Sequence, residues 1–579
     1  MENPYNYGAM KTVVLAWLFF VLTGLFTSLV VPLGEGFDEP WHLGLIQHHA
    51  ATGVAARRLV DPGTPVNLSV ELEQFLRLHP VGWKLHEIYP ELQSQEEYWQ
   101  QPETERRKAD DAIRALQFDK VSYRQGQSAF SKQYEGHQAP LYYTSASIAF
   151  LGASLALSLT NTFLLMRILS VLMASAVVPL AYALAKRIAL SESSADGVAI
   201  LVSMFPGIYP GIARVSNDAL AVPLAAAIFL ALVRFIQSRS KQDARLLAWT
   251  LAAGLLTKAI FIPFFVAIAI ALASLKEFRS LKTVGAWSLV GWIAYVPNVL
   301  RSGSLTGLPE TVDAGTSIGS SLAALSHLNW IDMFRLTAVS HIWIGNFSLL
   351  QYRSWIYKTV IVFFIVGLCG FIAALRRGMY PTASRPPRRF APPLVEEGKM
   401  NRLGIFPSMS RGGPANSLDF LSIQAIVLVY AVFGASLIYY ATQVYQQAGI
   451  SVIQGWYLSP LVPVEALVFV LGIEFLFSKR SARRVTAVVA FCFLAMILYG
   501  TAFIEAPYYT GLTDHGPSGS LRAYHPHWED VGLMGERLTR FHLWIPKAAP
   551  PVLGMTVLIA GLFLIWSYAS QHSFLSSRH

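Results

Sequence analysis

The 579-residue sequence predicts an all-α polytopic membrane protein: about twelve transmembrane helices with a large, mostly helical first extracytoplasmic loop. Three observations predict it. Only 14% of the residues are Asp, Glu, Lys or Arg, where a soluble domain carries about 25%. Apolar runs near the roughly 20 residues of a spanning helix recur along the chain. Basic residues collect in the short loops between alternate runs.

The first run, residues 13–33 (VVLAWLFFVLTGLFTSLVVPL), carries no charge. It is too long for a removed signal peptide and lacks a small-residue cleavage site. Further spans are expected near 163–185, 197–213, 219–236, 246–257, 259–275, 284–300, 357–375, 420–439, 458–477, 485–503 and 549–568. With the N-terminus inside, every strong basic cluster falls on one side. These are Lys186-Arg187; Arg239, Lys241 and Arg245; Lys276, Arg279 and Lys282; the block Arg376 to Arg411; and Lys479, Arg480, Arg483 and Arg484. The positive-inside rule makes that side cytoplasmic and places the C-terminus there too. The apolar stretch 140–157 would invert this order if it spanned. It is therefore expected as an interfacial or re-entrant helix on the outer face.

Four segments are left outside: 34–139, 301–356, 440–457 and 504–548. In the first, residues 71–78 and 96–118 place apolar residues at helical spacing. Residues 34–139 hold 11 Lys and Arg against 16 Asp and Glu, a charge of −5, so the rest of the chain carries +15. That excess lies in short loops, so it marks topology and argues against a nucleic-acid partner. Residues 378–416, rich in Pro and Arg, read as a cytoplasmic linker. The linker separates an N-terminal catalytic transmembrane module, 1–377, from a C-terminal module, 417–579. Cys369 and Cys492 fall inside expected spans, which excludes a disulfide framework and a cysteine metal site.

The segment GFDEPWH (36–42) carries the strongest chemical signal. Glu35, Asp38 and Glu39 crowd the end of the first span, followed by His42. Carboxylates at the mouth of a helix bundle are costly unless they work. Asp38 could also simply cap a helix opened by Glu39-Pro40. Asp38 and His42, four apart, share a helix face and could form a base–orienter pair or two ligands of a divalent cation. In RVSNDAL (214–220), Asn217 and Asp218 open a span on the same side, where capping is again the simple reading. Lys258, between two expected spans on the outer side, breaks the charge rule. Such a lysine suits an oxyanion, or it snorkels. His137 in YEGHQAPLYY (134–143) and Tyr457 in QGWYLSPLVP (454–463) lie where belt aromatics are common. The outer loop 327–353 and its flank alternate basic and aromatic residues: His327, Arg335, His341, Trp343, Arg353 and Trp355. HPHWED (525–530) reads as a solvated turn.

The ordered set resembles the C-type membrane glycosyltransferase superfamily, which uses polyprenyl-phosphate sugars. There an acidic motif follows the first span, a large outer loop follows it, and a second Asp lies in the next outer turn, here Asp218. A His-x-Pro-Leu-Tyr-Tyr-like motif appears as HQAPLYY. The sequence is most similar to bacterial membrane proteins with Asp-Glu-Pro-x-His after the first span, matched by residues 38–42. Their Asn-Pro-Asp-Ala-Leu is SNDAL here, without the proline. Their Gly-Arg-Tyr-Leu-x-Pro is GWYLSP, with Trp456 in place of Arg.

The resemblance implies sugar transfer from a polyprenyl-phosphate donor to a glycan, lipid or protein acceptor. It places the reaction on the outer face of the bacterial cytoplasmic membrane, with inversion at the anomeric carbon. Asp38 would be the general base, with Glu39 beside it in the catalytic set. His42, His137, Asp218, Lys258 and Tyr457 would bind substrate, Lys258 at the lipid phosphate. A divalent cation, Mg or Mn, is used by some relatives; Asp38 and Asp218 would be its ligands. Two rival readings remain: a transporter or flippase of a lipid-linked glycan, and a non-catalytic assembly scaffold. Transporters place charged residues at the midplane in paired repeats. Here the charges sit at span ends and no repeat is visible.

Overall fold

A computed structural model describes residues 6–53, 60, 61, 64–119, 123–188, 191–307, 318–377, 414–516 and 520–570. Among these residues regular structure is helical, apart from one antiparallel pairing of Val60–Asp61 with Thr64–Pro65. Eight helices are long and apolar enough to cross a membrane: Lys11–Val30, Leu159–Arg187, Asp218–Ser238, Ser354–Arg377, Asp419–Ala448, Gly455–Leu476, Lys479–Tyr509 and Ala549–Ser570. Two further pairs qualify as bent spans, Glu192–Met204 with Pro206–Ile212 at 49° and Phe278–Ile293 with Val296–Ser302 at 55°.

Among the described residues the count by length and composition is therefore eight to ten, and the twelve expected are not all reached by that measure. The difference lies at 246–257 and 259–275. These are helices Lys241–Leu255 and Phe261–Ser274, of 15 and 14 residues. At about 1.5 Å per residue they fall short of a hydrocarbon core of about 30 Å. The stretch expected at the interface is helix Leu141–Ala156, of 16 residues, also short for a span. It packs Tyr142, Tyr143 and Ala146 inward and leaves Ile148, Leu151 and Leu155 exposed.

The first outer loop folds as helices Val70–Leu78, Trp83–Ile88, Gln95–Gln100 and Glu103–Ala115. The single run expected over 96–118 breaks at Gln101-Pro102, because proline fixes its own φ and biases its predecessor to extended backbone. This loop packs directly on the other outer segments. Lys84 N donates to Phe347 O at 2.9 Å, Trp99 Nε1 to Tyr509 O at 3.2 Å, and Arg114 Nη1 to Arg540 O at 3.0 Å. Segments 34–139, 301–356 and 504–548 thus share one face. Basic-loop residues meet elsewhere: Gln237 Nε2 donates to Arg187 O at 2.7 Å and to Asp419 at 2.9 Å, and Arg239 pairs with Glu277 at 3.3 Å.

The two expected modules interlock. The first helix packs along the last, where Gly554 faces Phe26 and Gly561 faces Phe19. Helix Ser354–Arg377 meets Gly455–Leu476 backbone to backbone. A Cβ on Gly472 would sit 1.8 Å from Gly367 O, so only glycine fits. The linker expected at 378–416 lies outside the described residues up to 413; Pro414 opens helix Pro414–Ala448.

This arrangement predicts one labelling pattern. In a background lacking Cys369 and Cys492, cysteines at Asp111 and Trp528 should react with an impermeant maleimide in intact cells. A cysteine at Arg480 should react only after permeabilisation. Labelling of Arg480→Cys from outside would invert the orientation.

Candidate functional site

The site grows from the turn between the first helix and helix Glu39–Thr52. Glu39 and Arg167 are both completely buried and paired twice, Nε to Oε1 at 2.7 Å and Nη2 to Oε2 at 2.6 Å. Glu39 also accepts from Gly34 N at 3.0 Å and Val215 N at 2.9 Å. Four donors fill its four lone-pair positions. Arg167 spends its other donors on Ser28 O, Val31 O and Pro32 O, at 3.0, 2.5 and 2.6 Å. Those carbonyls lie at and just beyond the C-terminal end of the first helix, where intrahelical partners run out. Glu39 therefore leaves the expected catalytic set: it is a fastening, with no oxygen free for substrate.

Asp38 occupies the N-cap position but does not cap. Its backbone is left-handed, φ 60°, and its side chain bonds no helix N–H. Such a conformation costs a non-glycine residue about 1–2 kcal/mol, and Asp is among the residues that adopt it. The carboxyl instead accepts from the Tyr134 hydroxyl through Oδ1. Burial lifts the Asp38 carboxyl above its ordinary range, against the Tyr134 hydrogen bond and the charges of Arg214 and Lys258.

Asp218, first residue of its span, does not act as the cap either. Lys258 Nζ lies 2.5 Å from its Oδ1; Arg214 Nη2 at 3.3 Å and Ser216 Oγ at 3.2 Å reach Oδ2. Arg214 also donates to Phe37 O at 2.7 Å, so one arginine joins the two acidic turns. Phe37 stacks on Trp456 at 4.6 Å, and Lys258 lies 5.9 Å from the Tyr457 ring centroid. Asp218 is buried while Asp38 is partly exposed.

His42 is buried and bonds Tyr143 at 2.7 Å through Nδ1. Burial first, then Arg214 and Lys258, depress its pKa and keep it neutral. The expected base–orienter pair is not formed: Asp38 and His42 turn to different tyrosines. His137 sets Nδ1 on Tyr134 O at 3.0 Å. Its neighbour Gln138 links Glu135 at 2.6 Å to Asn217 at 3.0 Å. Buried Asn217 Oδ1 and Arg214 Nε have no hydrogen-bond partner.

The donor set fits a divalent cation poorly. Both Asp218 oxygens already face cations, and among the described residues no group of three or more His, Cys, Asp or Glu could hold a metal. Away from the site, His341 pairs with Glu465 at 2.8 Å. His527 and Asp530 of HPHWED close a capping box on helix Trp528–Leu538.

Residues 19–464 match a family model described as "Predicted membrane protein (DUF2142)". The chain belongs to the DUF2142 family. The match holds every site residue from Asp38 to Tyr457 and ends one turn beyond GWYLSP. No curated protein matches this DUF2142 chain. Among solved structures it is similar to the oligosaccharyltransferase of Archaeoglobus fulgidus in two crystal structures. The complex with Zn and sulfate aligns at 12% identity and TM-score 0.35, covering 91% of this chain and 57% of that one. The form tethered to an acceptor peptide aligns at 12% identity and TM-score 0.33, covering 88% and 60%. The DUF2142 chain thus spans less than two thirds of the length of these structures.

Sequence reasoning missed Arg167, Tyr134 and the bridging role of Arg214. Arg167 did carry a signal: an arginine inside an apolar span is a functional candidate by default. Arg167→Met would strand Glu39 in the interior and should destabilise the protein by about 3–5 kcal/mol. Arg167→Met with Glu39→Leu should recover much of that loss. Thermal unfolding in detergent measures both; an unchanged midpoint in Arg167→Met would refute the fastening role.

Proposed function

We propose that this chain is a C-type membrane glycosyltransferase that moves a sugar from a polyprenyl-phosphate donor to an acceptor on the extracytoplasmic face. One observation carries the reading. Two acidic turns converge, yet neither carboxylate caps its helix: Asp38 is partly exposed and bonded by Tyr134, and Asp218 is clamped by two cations.

The acceptor oxygen attacks the anomeric carbon as the bond from that carbon to the phosphate oxygen breaks. The electron pair leaves with the lipid phosphate, and Asp38 takes the acceptor proton. A carboxyl lifted above its ordinary range is the better base for this step, because proton affinity moves toward the working pH. Lys258 and Arg214 face the charge that grows on the departing phosphate. Asp218 aims both cations; with one carboxylate between two positive charges, positive potential remains for the anion. Neutral His42 adds no charge and holds Tyr143. Phe37, Trp456 and Tyr457 form an aromatic wall suited to a sugar ring. Inversion at the anomeric carbon follows from direct displacement. The bilayer supplies the donor's lipid, and no step uses a metal ion.

The bent pair Glu192–Met204 and Pro206–Ile212 ends beside Arg214, and broken helices near charged residues favour the second reading, a carrier of lipid-linked glycans. Turnover separates the two. Asp38→Asn should fold normally and slow transfer from a polyprenyl-phosphate sugar by about 10²–10⁴-fold, the usual contribution of a general base. Lys258→Met should weaken donor binding and slow transfer together, while Lys258→Arg retains part of the rate. Wild-type single-turnover rates in Lys258→Met would move the phosphate site off this lysine. Lipid-glycan movement without bond cleavage would favour the carrier.

A further inference from the structure

Three arginines from two distant segments close around one tryptophan where the outer loops meet the spans. Trp99 lies in the last turn of helix Gln95–Gln100. Arg537, Arg540 and Arg106 place their guanidinium carbons 4.5, 4.8 and 5.3 Å from its ring centroid. Arg106 comes from helix Glu103–Ala115, Arg537 from helix Trp528–Leu538, and Arg540 from the turn after it. The ring attracts each cation, yet three positive charges about one ring repel one another.

Their charge and their donors exceed what the protein supplies. A guanidinium carries five N–H donors. Arg106 gives Nη1 to Trp99 O at 3.0 Å and to Gln101 O at 2.7 Å. Arg537 gives Nη1 to Thr510 O. Arg540, its side chain 10% exposed, reaches Arg537 O at 3.4 Å through Nη1, and its buried Nε has no hydrogen-bond partner. Among the described residues one carboxylate pairs with the group. It is Asp110, whose Oδ1 lies 3.6 Å from Arg540 Nε and already accepts from the Tyr98 hydroxyl at 2.7 Å. The acids alongside are taken or solvated: Asp111 pairs with Arg114, Glu103 with Arg107 and Glu105 with Lys108, and Glu536 is exposed. Burial first, then Arg106 and Arg540, hold the Arg537 guanidinium below its ordinary pKa, a repulsion that an anion would relieve.

The place in the fold selects the anion. Trp99 Nε1 donates to the carbonyl of Tyr509, the last residue of span Lys479–Tyr509. Arg540 lies ahead of span Ala549–Ser570, and between them Leu543 and Trp544 are 81% and 61% exposed. Trp544 Nε1 donates to Asn161 Oδ1 at 2.8 Å, beside the start of span Leu159–Arg187. Three span ends and an exposed Leu-Trp pair set the arginines at the depth where an aromatic belt meets lipid headgroups. Trp99, Arg106 and Arg537 are partly exposed, so the group opens to its surroundings. The guanidinium fork matches two phosphate oxygens at once. We propose that Arg106, Arg537 and Arg540 hold the phosphate of an anionic lipid in the leaflet on the Asp38 side. Leu543 and Trp544 lie against its acyl chains. This inference does not rest on the proposed sugar transfer.

Thermal unfolding and native mass spectrometry of the full-length protein in a neutral detergent test it. Dioctanoyl-phosphatidylglycerol should raise the thermal midpoint saturably. Dioctanoylglycerol, with the same chains and no phosphate, should not; an equal rise with it overturns the phosphate site. Arg537→Gln should weaken the phosphatidylglycerol response by about tenfold or more, the loss expected for a charge-assisted hydrogen bond. Arg106→Gln serves where Arg537→Gln does not fold, with mass spectra showing less retained lipid. Equal responses in wild type and both variants overturn the site and leave the arginines as a fastening between outer loops. Inorganic phosphate that acts as strongly as the lipid at equal concentration overturns the lipid and leaves a free-anion site. Lys258→Met should not alter the response; a loss there would put the lipid at the Asp38 turn and overturn this site.

Discussion

The Glu39–Arg167 pair is the constraint on which the outer half of this protein depends. It joins four pieces of chain: the end of the first helix, the acidic turn, helix Glu39–Thr52 and the turn before Asp218. Each piece presents backbone groups that would be orphaned where helices end inside a bundle. One guanidinium and one carboxylate satisfy five such groups, Ser28 O, Val31 O, Pro32 O, Gly34 N and Val215 N, and also each other. A buried ion pair is weak evidence for stability, because apolar replacements can do as well. Its value here is geometric. It fixes a left-handed residue at position 38, which a mobile turn would release.

Electrostatics then separates two carboxylates by environment. Asp218 has a lysine and an arginine on its oxygens. Asp38 has a neutral phenol and a partial opening to solvent, and its proton affinity rises. A pair of acids pushed apart in this way is a recurrent arrangement for acid–base work. Both Asp218 oxygens face these cations.

Much of this was legible in the sequence, for a physical reason. A carboxylate at the end of an apolar span is expensive, so Asp38 and Asp218 stood out against their background. A lone lysine on the acidic side stood out likewise, and Lys258 does meet Asp218. Hydropathy marked the helices, and at 246–257 and 259–275 apolar character is real while length is short for a span. Glu39 was drawn into the catalytic set because adjacency along the chain says nothing about partners. Its arginine lies 128 residues away. Tyr134 belonged to a motif read for its histidine, and only folding shows which of the two touches Asp38.

The glycine contact at 367 and 472 has a consequence for how such a chain tolerates change in length. Helix Ser354–Arg377, which precedes positions 378–413, does not rely on that connection to find its partner beyond helix Pro414–Ala448. Ser354–Arg377 seats backbone to backbone on Gly455–Leu476, with Gly370 and Gly472 also in contact. Closing a connection costs only about 0.6 kcal/mol more for each doubling of its length. Insertions and deletions between these helices therefore leave the geometry at Asp38 untouched. The same number of residues added to the six-residue stretch Gly34–Glu39 would pull the acid away from its tyrosine.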